Sequence, residues 1–134
     1  MKEKSQEFID LGSSIDVYNY ILPYVKDLEI EESYLLCMDN NFKLIKMVRL
    51  SKGGISETAV DVRVICKEAS SYNATTIALV HNHPSPSCFP SKCDDEITYK
   101  IKKACEIMRL FFMDHVIISS KSDQYYSYHD KGKL

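Results

Sequence analysis

Residues 75–80 read "TTIALV", a short continuous apolar run that stops at a histidine. A strand with one wet face alternates polar and apolar residues, whereas an unbroken run of this length marks a strand covered on both faces. That requirement constrains the rest of the chain, which must supply apolar layers above and below the strand.

The flanking patterns supply them. "LGSSIDVYNYILPYVKDL" opens with Ser13-x-x-Asp16, a capping signal, and carries Ile15, Tyr18, Ile21, Leu22 and Val25 at helical spacing. Pro23 predicts a kink or an end to that helix. "YLLCM", the turn "DNN" and "FKLIKMVRL" read as two strands of a hairpin or meander, and "SKGGIS" as a loop. "AVDVRVICKEASSYN" predicts a helix with Val60, Val64, Ile65 and Ala69 on one face. "DEITYKIKKACEIMRLFF" predicts another, with Ile97, Ile101, Ala104, Met108 and Phe111 along one stripe. "DHVIIS" and "YYSYHD" read as closing strands. Strands alternating with helices in 134 residues predict a single-domain α/β fold, a three-layer sandwich with a mixed β-sheet flanked by helices. Its expected extent is residues 13–134, after an N-terminal tail of residues 1–12.

A net charge of −2 gives no global attraction for nucleic acid or an anionic membrane. No apolar run approaches the roughly 20 residues that span a bilayer. "MKEKSQEFIDLG" lacks the apolar core and cleavage site of a signal peptide. The cysteines, Cys37, Cys66, Cys88, Cys93 and Cys105, are five in number and without framework spacing, as expected of reduced thiols in a cytoplasmic protein.

The apolar run ends in His81-Asn82-His83. Side chains two apart on a strand share a side, so the two imidazoles can aim at one point beyond a strand end, where open α/β sheets bind ligands. Neutral imidazole is a leading zinc ligand. Two sources of further ligands compete: Asp94, at the start of the following helix, or Cys88 with Cys93 in a closed His2Cys2 set. Ser91-x-x-Asp94 is by itself a helix-capping box.

Taken together, His81-x-His83-x(7)-Ser91-x-x-Asp94 resembles the zinc motif of the JAMM (MPN-plus) metallopeptidases. "HNHPS", "MDHVIIS" and "YYSYHDKG" are similar to the RadC branch of that superfamily, with a likeness running from about Ser13 to the last residue. The resemblance implies a JAMM/MPN-like, cytidine-deaminase-like architecture and Zn2+ held by His81, His83 and Asp94. A fourth position left to water would make the site catalytic. It further implies Glu31 as general base, with Glu32 the fallback, and Ser91 as oxyanion donor. The expected activity is zinc-dependent hydrolysis of a peptide or isopeptide bond. The alternative is a non-catalytic binding or nucleic-acid-associated module, in keeping with the branch's traditional DNA-repair label. Longer members carry an N-terminal helix-hairpin-helix segment, for which no room is expected here.

Two departures from the RadC pattern stand out: Pro86 replaces a glycine, and Val62-Arg63-Val64 replaces "PRE". Physical support for nucleic-acid work is slight, since Lys100, Lys102, Lys103 and Arg109 read as a solvated helix face without interleaved aromatics. A zinc nucleobase deaminase is set aside because H-x-E and P-C-x-x-C do not occur. His115 reads as a hydrogen-bonded structural histidine and His129 as exposed.

Overall fold

A computed structural model of the chain describes residues 8–52 and 60–134, with Lys52 described by its backbone alone. Residues 1–7 of the expected tail and 53–56 of the expected "SKGGIS" loop lie outside the described residues. In chain order the elements are α1 (Ser14–Val25), β1 (Glu32–Met38), β2 (Leu44–Lys52), α2 (Val62–Ser71), β3 (Thr76–His83), α3 (Lys92–Met108), β4 (Phe111–Ser119) and β5 (Tyr125–Ser127). The strands form one sheet of order β2-β1-β3-β4-β5. β3 runs parallel to β4, and every other pairing is antiparallel, so the sheet is mixed as expected.

The apolar run occupies the middle strand, β3, and strand alternation sends its side chains to two separate cores. Ala78 and Val80, with Tyr34, Leu36 and Met38 of β1, pack against Val17, Tyr18, Ile21 and Val25 of α1. Ile77 and Leu79, with Leu35 and Cys37, pack against Ile65 and Ala69 of α2 and Ile101 and Cys105 of α3. The result is three layers: α1, the sheet, then α2 and α3. Each Leu or Ile fully removed from water here contributes about 1.5–3 kcal/mol.

Local chemistry sets the element boundaries. Ser13 caps α1 by accepting from the Asp16 amide, as its spacing predicts. Pro23 falls in the last turn, and the helix ends two residues on at Val25. In the β1–β2 turn the Asp39 carboxylate accepts from the amides of Asn41 (2.8 Å) and Lys43 (3.0 Å). Leu11, inside the expected tail, is buried, its amide bonded to the Phe42 carbonyl. Past β5, Asp130 accepts from the Ser14 hydroxyl at the start of α1, and Tyr125 stacks on Tyr18 with ring centroids 4.7 Å apart.

Two expected helix faces need correction. α2 starts after an Asp61 cap, so Val60 precedes it, and Val64 faces solvent while Ile65 and Ala69 are buried. On α3 the buried residues are Asp94, Thr98, Ile101 and Cys105. Met108 is exposed, and Phe111 lies in β4 rather than in the helix. The buried face of α3 begins with polar residues, so an apolar stripe drawn from hydrophobicity alone is rotated away from it.

Candidate metal centre

Alternation along β3 places His81 and His83 on the same side as Ile77 and Leu79, facing α2 and α3. α3 begins just beyond them. Its first turn is fixed by a complete capping box: the Ser91 hydroxyl accepts from the Asp94 amide (3.0 Å), and the Asp94 carboxylate accepts from the Ser91 amide (2.8 Å). The box turns the Asp94 carboxylate toward the histidines. β1 pairs antiparallel with β3, Ser33 opposite His81, so the residues just before Ser33 lie beside the end of β3.

Four side chains converge there. His81 Nε2 lies 3.3 Å from His83 Nε2, 3.1 Å from Asp94 Oδ1 and 3.5 Å from Glu31 Oε2. His83 Nε2 lies 3.2 Å from Asp94 Oδ2. One donor atom from each of Glu31, His81, His83 and Asp94 falls within 4.8 Å of all the others. Ligands held 2.0–2.1 Å from a tetrahedral ion stand about 3.3 Å apart. The two imidazoles meet that spacing with each other, and each meets it with a different oxygen of Asp94, so the three side chains converge on a space for one small divalent ion, with a donor set that zinc accepts.

The electrostatics reflect this crowding. Burial pushes the Glu31 carboxyl up, against the pull of His81 and His83. Against its own burial, Asp94 is held well below the usual carboxylate range by hydrogen bonds from His81 and His83. Burial disfavours a charged His83, yet the hydrogen bond and charge of Asp94 leave its pKa raised. Zinc requires a deprotonated carboxylate and a neutral imidazole, so a proton held by His83 must leave when it binds.

The neighbouring acid, Glu32, points elsewhere. It is buried and accepts from the Tyr34 hydroxyl, with Arg49 at 3.9 Å. Cys88 and Cys93 are outside the cluster, and among the described residues the only group placed to share an ion is the one containing Glu31 and Asp94. The Ser91 hydroxyl oxygen is engaged as a cap, accepting from the Asp94 amide. His129 is exposed, beside Asp130. Arg63 pairs with Asp61 at 3.2 Å on the surface. After His83 the chain is tied down by the Ser119 hydroxyl on the Ser85 carbonyl (2.6 Å) and the Ser122 hydroxyl on the Pro86 carbonyl (2.9 Å).

Three residues that sequence reading gave no part in the site support it. Asn82, on the opposite face of β3, accepts from the Glu32 amide (2.7 Å) and donates to the Ile30 carbonyl and the Ser120 hydroxyl (both 2.9 Å). It thus grips the backbone on both sides of Glu31. His115, on β4, is fully buried, its Nε2 3.0 Å from His81 Nδ1. Burial, with His81 adding to it, holds its pKa well below the ordinary imidazole value. Thr98 bridges His115 Nδ1 and the Asp94 carbonyl. Thr98 lies one helical turn after Asp94, a spacing visible in the sequence, whereas the approach of His115 depends on the β3–β4 pairing.

A mixed-sheet α/β sandwich with a His/His/Asp/Glu cluster at the end of its central strand is the layout of a JAB-type domain. The model of the RadC-like JAB domain matches residues 11–133, and the chain belongs to that family. It is 42% identical over 134 residues to a UPF0758 protein of Flavobacterium johnsoniae, covering 98% of this chain and 58% of the relative. A UPF0758 protein of Porphyromonas gingivalis is 40% identical over 117 residues, covering 87% and 51%, and one of Haemophilus ducreyi 38% identical over 114 residues, covering 83% and 50%. The chain thus spans about half the length of these curated relatives. Among the described residues no helix is long and apolar enough to cross a membrane.

Proposed function

We propose that this chain is a zinc-dependent hydrolase acting on an amide bond of peptide or isopeptide type, working in the cytoplasm. The observation that carries the reading is the 3.1–3.3 Å spacing among His81, His83 and Asp94, with the Glu31 carboxylate alongside. His81, His83 and Asp94 are the residues that would hold the ion. Bound zinc supplies Lewis acidity, polarising a carbonyl and lowering the pKa of water to about 7.

Glu31 is the base. Its carboxylate takes a proton from the attacking water and hands it to the departing nitrogen, as a C–O bond forms and the C–N bond breaks. Such a base contributes typically ~10²–10⁴ in rate. Its burial raises the affinity for the proton it must carry between those events. Ser91 donates its remaining proton to the carbonyl oxygen as negative charge develops, worth of order ~10²–10³ by analogy with other oxyanion donors. Capping and catalysis use different parts of that hydroxyl, so the two roles are compatible.

Metal analysis of the purified protein is the test. Asp94→Asn is expected to lose most of its zinc, and Cys88→Ser combined with Cys93→Ser to keep it. The reverse pattern would establish a structural His2Cys2 site instead. Glu31→Gln is expected to keep zinc and abolish cleavage of a fluorogenic amide and isopeptide panel; full activity in that variant removes Glu31 as the base.

A further inference from the structure

We propose that His115 is a positioning residue that accepts the Nδ1–H of His81, so that Nε2 is the nitrogen His81 presents to an ion in the cluster. The inference rests on the metal-site reading above and follows from counting protons along four linked groups. The Thr98 hydroxyl lies 2.7 Å from the Asp94 carbonyl, which can only accept, so the single proton of that hydroxyl is committed there. Thr98 Oγ1 then has only lone pairs to offer His115 Nδ1, and Nδ1 must carry a proton.

The ring of His115 is 0% exposed, and among the described residues it takes part in no ion pair. A second proton would leave an uncompensated buried charge, so Nε2 is a bare lone pair. That lone pair faces His81 Nδ1 at 3.0 Å, and His81 Nδ1 is therefore the donor. With His81 Nδ1 committed to His115, Nε2 is the nitrogen that faces His83, Asp94 and Glu31 and would give its lone pair to an ion there. Tyr128 fixes the plane of the intermediary ring, stacking on His115 with centroids 4.8 Å apart and planes 2° from parallel.

The circuit closes on a single residue. Asp94 offers its carboxylate to the cluster and, through its carbonyl, Thr98 and His115, sets the proton on the far side of His81. Reversing the direction of donation would break the 2.7 Å bond at the first turn of α3.

The experiment is a two-bond proton–nitrogen correlation on 15N-labelled protein, recorded above the imidazole titration range with and without zinc. His115 is expected to show a protonated Nδ1 and a bare Nε2 in both, with a through-hydrogen-bond nitrogen–nitrogen coupling to His81 Nδ1 in the zinc form. A His115 protonated at Nε2 overturns the proposal. Zinc competition against a chromophoric chelator supplies the second arm. His115→Phe, which keeps a ring against Tyr128 but no acceptor, is expected to lose about 10–100-fold in zinc affinity. His115→Gln places an amide oxygen near the Nε2 position and is expected to stay within about threefold of wild type. A folded Phe variant of undiminished affinity also overturns it. If the Phe variant does not fold, the wild-type spectrum and the Gln variant decide. Wild-type protein that binds no zinc defeats the metal-site reading, while the His115 tautomer still answers the narrower question.

Discussion

Asn82 stands between the two histidines in sequence and turns away from both. Its carboxamide satisfies the Glu32 amide, the Ile30 carbonyl and the Ser120 hydroxyl, all from a fully buried position. Truncation to alanine strands those groups without water, at about 1–3 kcal/mol for each that stays unsatisfied. Asn82→Ala is therefore expected to lower the urea midpoint substantially, and Asn82→Asp, which sets a buried carboxylate against the Ile30 carbonyl, to be no milder. A midpoint unchanged in Asn82→Ala would show that the carboxamide does not hold the segment. The same residue explains why Glu31 and Glu32 diverge: the backbone between them is clamped, one carboxylate on the histidine side and the other under Tyr34. From sequence the choice between these acids stayed open, because it depends on where a neighbouring strand begins. The histidine pair was legible because strand alternation is local; the approach of His115 from β4 was not.

α3 shows what an element can hide. Its capping box was readable from Ser91-x-x-Asp94, and the structure forms it in full. Its packing face was not, because the first turns bury Asp94 and Thr98 rather than apolar groups. Hydrophobic periodicity finds a helix by what it shields from water, and here part of the shielded surface is the His/His/Asp/Glu cluster itself. Ser91→Ala removes the cap and is expected to lower stability by about 1 kcal/mol. A fall in turnover beyond what reduced folding explains would assign the serine a chemical role as well; lost stability with unchanged rate would leave it a cap alone. α2 was legible as a helix although half its expected face was misassigned, since Val64 and Ile65 are adjacent and only Ile65 can point inward.

Across the whole molecule the two-sided sheet predicted from one apolar run is present, with a separate core on each face. The core beneath α2 and α3 contains two thiols whose ionisation burial suppresses: Cys37 is pushed up to about 11 and Cys105 to about 12. An unfolded cysteine titrates near 8.5. Both folded values are raised, so the native state binds more protons above that point. The stabilisation is fully present below about pH 8.5 and is lost as pH rises through the folded values. Urea midpoints are expected to fall on the alkaline side of neutrality, and Cys105→Ala to flatten part of that slope although it is less stable at neutral pH. An alkaline profile identical to wild type would remove Cys105 as a source.

The contact between Ser14 and Asp130 joins positions 116 apart in sequence. The described stretch from Ser14 to Asp130 is in effect fastened end to end by a clasp. Fraying from either flank opens that clasp and strips support from the other, so the two flanks are expected to melt together and not in succession.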